Sequence, residues 1–285
     1  MMQRQYDSFM ACDAPYTDAS IVLWGAPFDS TTSNRPGARF GPRAIRQDSF
    51  GLETYSPWLD RDLEDCSVMD MGDLELPFGD SAQMVRMVKD HTNELLRDGK
   101  LPFLLGGEHS VTLGAAQAAF EKYPDLHIIH FDAHTDLREE YLGVRFSHAS
   151  VMRRCWDMLG DGRISQFGIR SGERCEFEWA KIHTNLQKFD FGGLGRLIQT
   201  LQAENTPIYF TLDLDVLDPS AFPGTGTPEA GGVSYHDLME AVRLVFSANV
   251  VGCDVVELAP MLDPSGVSTA TACKVIREML LLWHV

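Results

Sequence analysis

Short apolar runs alternate along almost the whole chain with stretches in which apolar residues recur at three- and four-residue intervals. Residues 21–24, 101–105, 126–131, 164–169, 208–214 and 250–257 are apolar runs bounded by Gly, Pro or polar residues, and they predict buried strands. Residues 81–97 place Met84, Val85, Val88, Leu95 and Leu96 at helical spacing, and Asp98-Gly99 supplies the stop. Residues 111–122, 149–158, 235–246 and 267–282 predict further helices. Strands buried on both faces and alternating with helices are the pattern of a mostly parallel sheet inside a three-layer α/β/α sandwich. No Pro/Gly/Ser-rich linker, break in composition or internal repeat divides the chain, so residues 1–285 are expected to form a single domain.

Composition narrows the choice of partners. Apolar residues make up 44% and charged residues 23%, enough to bury a core, while 41 acidic against 24 basic side chains leave a formal net charge of −17. Such a surface repels phosphate backbones and anionic lipids, which argues against nucleic acid and membranes as partners. It suits metal ions or a cationic substrate, or it serves solubility alone. The 6 cysteines are scattered without a CxxC pair, as expected in a reducing compartment. Residues 1–20 hold no apolar core of a secretory signal, and no apolar run is long enough to span a bilayer. The expected location is the cytoplasm.

The chemistry-bearing residues gather at the predicted carboxyl ends of strands, where open parallel sheets bind ligands. Asp132, His134 and Asp136 follow the run 126–131; in extended chain, alternate residues point to one side, so two carboxylates and an imidazole are expected to converge. Asp213 and Asp215 end the run before them by the same rule, and His109 follows Gly106-Gly107-Glu108 after the run 101–105. Carboxylates this close repel one another and are costly to desolvate, and divalent cations cancel that charge. Imidazole and carboxylate ligands without thiolates favour Mn²⁺ over structural zinc, and leave Co, Ni and Zn open. A single Asp-x-Asp at a strand end is usually a turn or helix-cap device. Two such clusters joined by a Gly-Gly-x-His turn are hard to explain that way.

At these residues the sequence resembles the ureohydrolases, the family of arginases, agmatinases, guanidinobutyrases and formiminoglutamases. Gly106-Gly107-Glu108-His109, Asp132-Ala133-His134-Thr135-Asp136 and Asp213-Leu214-Asp215-Val216-Leu217-Asp218-Pro219 carry the likeness. So do Pro36-Gly37-Ala38-Arg39-Phe40-Gly41-Pro42, Gly224 to Glu229 with Gly231-Gly232, and Val256-Glu257 with Pro260. Within the family the chain is most similar to bacterial agmatinases, through Pro27-Phe28-Asp29, the segment from Arg35 to Phe40, and the segment from Phe167 to Gly172. The resemblance implies an arginase-like sheet of about eight strands carrying two Mn²⁺ per chain, and a homo-oligomer, trimer or hexamer. It implies that His109 and Asp136 serve one metal and His134 and Asp215 the other, with Asp132 and Asp213 bridging.

The expected reaction is attack of hydroxide, generated at neutral pH by a metal pair, on a guanidinium carbon. Agmatine would then yield urea and putrescine, with Asp136 passing a proton to the departing amine. Glu257 is expected to hold the planar guanidinium through paired hydrogen bonds, or to be a surface carboxylate. By likeness His148 shuttles protons to solvent, a role that an unperturbed imidazole suits; the alternative is a structural contact near a helix start. Thr227 either orients the substrate or belongs to a rigid Gly/Pro turn. In the segment after the cluster, Glu139 and Glu140 would favour a distal ammonium and Arg138 a distal carboxylate such as that of 4-guanidinobutyrate, unless all are exposed. Arginine and related guanidino compounds remain alternatives. From other classes, so do a two-metal phosphoesterase, with His183 and Asn185 as extra ligands, and a silent metal-binding protein. His91, His183, His236 and His284 read as surface or packing residues, His127 and His130 as satisfied buried histidines, and the cysteines as core.

Overall fold

The computed structural model describes residues 8–283. Its strands are β1 (Ile21–Ala26), the short antiparallel pair β2 (Tyr55–Ser56) and β3 (Arg61–Asp62), β4 (Val68–Asp73) and β5 (Leu101–Gly106). Then follow β6 (His127–Phe131), β7 (Ile164–Ile169), β8 (Asn185–Lys188), β9 (Ile208–Asp213) and β10 (Val250–Val256). All but β2 and β3 form an 8-stranded sheet in the order β4-β1-β5-β10-β9-β6-β7-β8, with every neighbouring pair parallel. The helices are α1 (Gly41–Ser49), α2 (Ser81–Arg97), α3 (Thr112–Lys122), α4 (Val151–Leu159), α5 (Arg174–His183), α6 (Leu194–Ala203), α7 (Tyr235–Val245) and α8 (Val267–Trp283).

Strand alternation divides the interior into two cores. Ile21 and Leu23 of β1, Ile129 and Phe131 of β6, and Phe210 and Leu212 of β9 face one of them; Val22, Trp24, Ile128 and Tyr209 face the other. Helices α1, α6, α7 and α8 close the first core through Ile45, Ile198, Val242 and Ile276. Helices α2, α3, α4 and α5 close the second through Val88, Ala116, Met152 and Ala180. The three-layer expectation is met because each central strand is apolar on both faces and must be covered twice.

Strands β4 and β8 have no counterpart among the predicted runs. They are the sheet's edges, and their sequences, VMDMGD and NLQK, keep the polar side chains that an exposed edge tolerates. Helices α1, α5 and α6 were also absent from the sequence pattern. Helix α5 is anchored by a reciprocal capping box between Glu173 and Glu176, and α1 by Pro42 in its first turn. The cysteine expectation needs one correction: Cys12, Cys155, Cys253 and Cys273 are buried, but Cys66 is half-buried and Cys175 exposed, because Cys175 lies in the first turn of α5. His284 lies outside the described residues.

The order of the sheet places the site. The chain passes from β5 through α3 to β6, yet β10 and β9 later fill the positions between those strands. The carboxyl ends of β5, β10, β9 and β6 therefore meet where the strand order reverses, the point at which doubly wound sheets open a crevice.

Candidate metal centre

His109 enters from the end of β5. The turn requires glycine at 107, because a Cβ there would sit 2.0 Å from the Phe28 carbonyl oxygen. With none, Glu108 N–H donates to that carbonyl at 2.7 Å, and the next residue starts a short 3₁₀ turn (His109–Val111). The buried His109 ring points Nδ1 at Asp132 Oδ2 (3.1 Å), Asp136 Oδ2 (3.3 Å) and Asp213 Oδ2 (3.3 Å). His134 Nδ1 lies 3.4 Å from Asp132 Oδ1 and 3.0 Å from Asp215 Oδ2. All the residues expected as ligands are thus brought together around Asp132.

They do not converge by strand alternation, as the sequence suggested. Strand β6 stops at Phe131, and Asp136 is brought back by a left-handed backbone (φ 51°) whose carbonyl accepts Met152 N–H and Arg153 N–H at the start of α4. Asp215 sits in a 3₁₀ turn, Leu214–Val216, and its N–H donates to Asp213 Oδ1 at 2.8 Å. Turns give these ends more convergence than extended chain would. Arg170 locks the second turn by donating to the carbonyls of Asp215 (2.7 Å), Val216 (3.1 Å) and Glu229 (2.8 Å).

The cluster is acid-rich and largely buried. Burial, and then the charges of Asp215 and Asp132, push the Asp213 carboxyl well above the usual carboxylate range. Burial and then Asp132 push Asp136 up to about 7. His109 Nδ1 is buried and makes no hydrogen bond, although carboxylate oxygens approach it from several sides. Donor atoms of His109, His130, Asp132 and Asp136 lie within 4.8 Å of one another, as do those of Asp132, His134 and Asp215. An unbonded imidazole nitrogen, mutually repelling carboxylates and a carboxylate common to both groups fit a pair of divalent cations.

The cluster opens on a cleft of about 240 Å³ whose wall includes Glu257, His148, Thr227, Arg138 and Tyr141. Glu257 is 5% exposed, not a surface carboxylate, and holds a left-handed backbone (φ 67°) that a glutamate rarely adopts. Its Oε1 accepts His109 N–H at 2.8 Å, and burial followed by the charge of Glu108 pushes its carboxyl well above the usual range. Thr227 both lines the cleft and reaches Asp215 Oδ2 at 3.4 Å; its loop is held by Asn34 and Arg35, which donate to the carbonyls of Gly226 and Thr225 at 2.9 Å each.

His148 departs from expectation. Its N–H donates to Thr31 Oγ1 at 3.1 Å, and Ser33 Oγ stands 3.2 Å from Nε2. Burial, and then neighbouring His134, lower its imidazole to about 4, so the ring is neutral at pH 7 and not poised near it. Arg138 does line the cleft, stacked on Tyr141 (4.3 Å) and paired with Glu173 at 3.3 Å. Glu139 and Glu140 instead face an adjacent exposed depression. The extra ligands of a phosphoesterase are absent from the cleft wall: His183 stacks on Trp179 (4.2 Å) and pairs with Asp161, and Asn185 donates to Ser165.

A model of the arginase family matches residues 19–282. This chain belongs to the arginase family. An agmatinase from Bacillus anthracis is 47% identical over 279 residues, covering 96% of this arginase-family chain and 96% of its own. A solved structure from Clostridium difficile is 49% identical with a TM-score of 0.91, covering 95% of this chain and 99% of that one. The agmatine ureohydrolase of Thermoplasma volcanium is 33% identical with a TM-score of 0.89, covering 97% and 94%. The arginase family is one of binuclear metal hydrolases, and the structure holds a His/Asp cluster whose donor groups fit metal ions. No helix among the described residues is long and apolar enough to cross a membrane.

The sequence reading missed the polar row beneath the ligands. Gln166 on β7, His130 on β6, Thr211 on β9 and Asp254 on β10 are register partners across four adjacent strands. His130 Nε2 donates to Asp132 Oδ2 at 2.7 Å, and Gln166 Nε2 donates to His130 Nδ1 at 3.1 Å. His130 is therefore satisfied, as expected, but its partner is a candidate ligand. The signal was available: each is a polar residue in a run otherwise fit for full burial. Glu176, likewise missed, accepts Thr135 Oγ1 (2.6 Å) and Leu137 N–H (3.1 Å) and so shapes the loop carrying Asp136.

Proposed function

We propose that this chain hydrolyses agmatine to urea and putrescine using two Mn²⁺, with His109 and Asp136 on one ion, His134 and Asp215 on the other, and Asp132 and Asp213 shared. Such a pair, when bound, would lower the pKa of a water and supply hydroxide at neutral pH. The chain's own residues do the rest. Glu257, its Oε1 anchored by His109 N–H, presents a planar carboxylate to the paired N–H donors of a guanidinium. Asp136 takes up the proton lost by the attacking water and hands it to the departing amine. His148, with Thr31 and Ser33 keeping the ring on the cleft wall, relays protons between the cleft and solvent and rests neutral between transfers. Thr227 steadies the substrate side of the cleft.

The observation that supports this reading is the buried Glu257 carboxylate on the wall of the cleft onto which the His/Asp cluster opens. The choice of agmatine rests on the relatives named agmatinase and agmatine ureohydrolase. The pairing of Arg138 with Glu173 supports it, because the guanidinium is already neutralised and does not call for a distal carboxylate. One catalytic domain, assembly into a trimer or hexamer and a cytoplasmic location belong to the same proposal.

Urea release from agmatine, arginine and 4-guanidinobutyrate by Mn²⁺-loaded protein tests it. Agmatine should lead in kcat/KM by about tenfold or more, equivalent to about 1.4 kcal/mol; a guanidino acid turned over as well or better would refute the substrate. His148→Phe should lower kcat about 10²-fold with metal content kept and the acid limb of the pH profile unmoved. Loss of the metals in that variant would contradict its assigned place.

A further inference from the structure

Asp254 lies in the middle of β10 with its side chain wholly buried, and among the described residues no Lys or Arg ion pair reaches it. Its Oδ2 accepts the Tyr209 hydroxyl at 2.7 Å and its Oδ1 accepts the Thr211 hydroxyl at 2.6 Å. A threonine hydroxyl has one proton to give. With that proton directed to Asp254, Thr211 Oγ1 can only accept from His109 Nε2, 2.9 Å away. The His109 proton is then on Nε2, and the Nδ1 lone pair faces Asp132, Asp136 and Asp213. The register that pairs Asp254 with Thr211 across β10 and β9 makes this arrangement a property of the sheet and not of a loop.

We infer that Asp254 is a positioning residue for His109, acting through the Thr211 hydroxyl. The chain Asp254–Thr211–His109 holds the imidazole in the tautomer and orientation that a metal ligand needs. It thereby sets the affinity of the one metal site to which His109 contributes. The inference rests on reading His109 as a ligand. Carboxylates behind ligating histidines fix ring orientation and raise ligand basicity, and their loss typically costs 10–100-fold in metal affinity. Here a threonine hydroxyl is interposed between the imidazole and the carboxylate.

The test is calorimetric titration of Mn²⁺ into the metal-free full chain. Thr211→Val keeps the shape and removes the relay; it should weaken one of the two sites about 10–100-fold and leave the other unchanged. Thr211→Ser, which restores the hydroxyl, should recover the affinity. Asp254→Asn should weaken the same site and add nothing in the Thr211→Val background, as expected for residues acting in series. Tyr209→Phe, which removes another bond to the same carboxylate without touching Thr211, should leave both sites close to their original Kd values. Equal Kd values for Thr211→Val and the unchanged chain, or equal weakening of both sites, would overturn the relay. His109→Ala distinguishes the two levels of the argument. If it keeps both sites at unchanged affinity, the ligand reading falls and the relay with it; if it loses a site while Thr211→Val loses nothing, the relay alone falls.

Discussion

Two groups of acids lie on the same sheet, and they resolve their charge in opposite ways. On the edge strand β4, Asp70 accepts both Nε (2.8 Å) and Nη2 (3.0 Å) of Arg46, and Asp73 takes Nη1. At the carboxyl ends of the central strands, Asp132, Asp136, Asp213 and Asp215 pair, among the described residues, only with histidines. The first group carries its own cation and closes into a structural clamp between α1 and β4. The second keeps Asp213 and Asp136 pushed up by burial and by their neighbours, and leaves His109 Nδ1 without a hydrogen bond. The chain therefore has a way to neutralise buried acids with arginine and does not use it at the cluster. An acid group left uncompensated at a sheet's switch point is a request for a cation from outside.

The sharpest way to break this contrast is to remove one acid from the open group. Asp132→Asn or Asp213→Asn should cut urea release by at least about 10³-fold, worth about 4 kcal/mol, and lower the metal bound per chain. For Asp213→Asn, thermal unfolding of the metal-free protein should not suffer, because burial and the neighbouring Asp215 and Asp132 already disfavour its charge. Full activity with unchanged metal content would place the site elsewhere. In the closed group the reverse is expected: Arg46→Leu strands the buried Asp70 carboxylate and should cost roughly 3–5 kcal/mol, lowering Tm by roughly 10 °C, with turnover per folded chain intact. An unchanged Tm would mean that the clamp contributes nothing.

A smaller effect sharpens the open side. In the metal-free chain, burial and then Asp132 hold the Asp136 carboxyl near 7. A cation binds only the deprotonated carboxylate, so metal affinity should be highest above pH 7 and fall as the pH drops through that value. The slope should approach about tenfold per pH unit for each proton displaced. Titrations across this range, with buffers of different ionisation enthalpy to count released protons, would detect it. Affinity independent of pH between 6 and 8 would show that Asp136 is not a ligand.

Legibility in the sequence followed burial. Strands β7 and β10 and helices α2 and α8 could be read almost to their ends because their apolar residues face a core on one or both sides. Strands β4 and β8 were invisible because an edge strand needs no such run. The ligand residues could be named from strand-end positions, but the reason offered for their convergence was incomplete. Asp136 and Asp215 depend on a left-handed residue and a 3₁₀ turn, which residue alternation does not encode. The neutrality of His148 was equally hidden, because its surroundings, Thr31, Ser33 and His134, come from distant parts of the chain.

By itself, the order of residues determined a layered α/β chain with acids and imidazoles at the ends of its central strands, because period and strand-end chemistry are local properties. Tertiary structure alone decided which of those acids share a pocket, which nitrogen of His109 faces them, and that Arg138 enters the cleft while Glu139 and Glu140 do not. Those outcomes depend on strand order and register, and β9 and β10 reach their places between β5 and β6 only when the whole sheet has assembled.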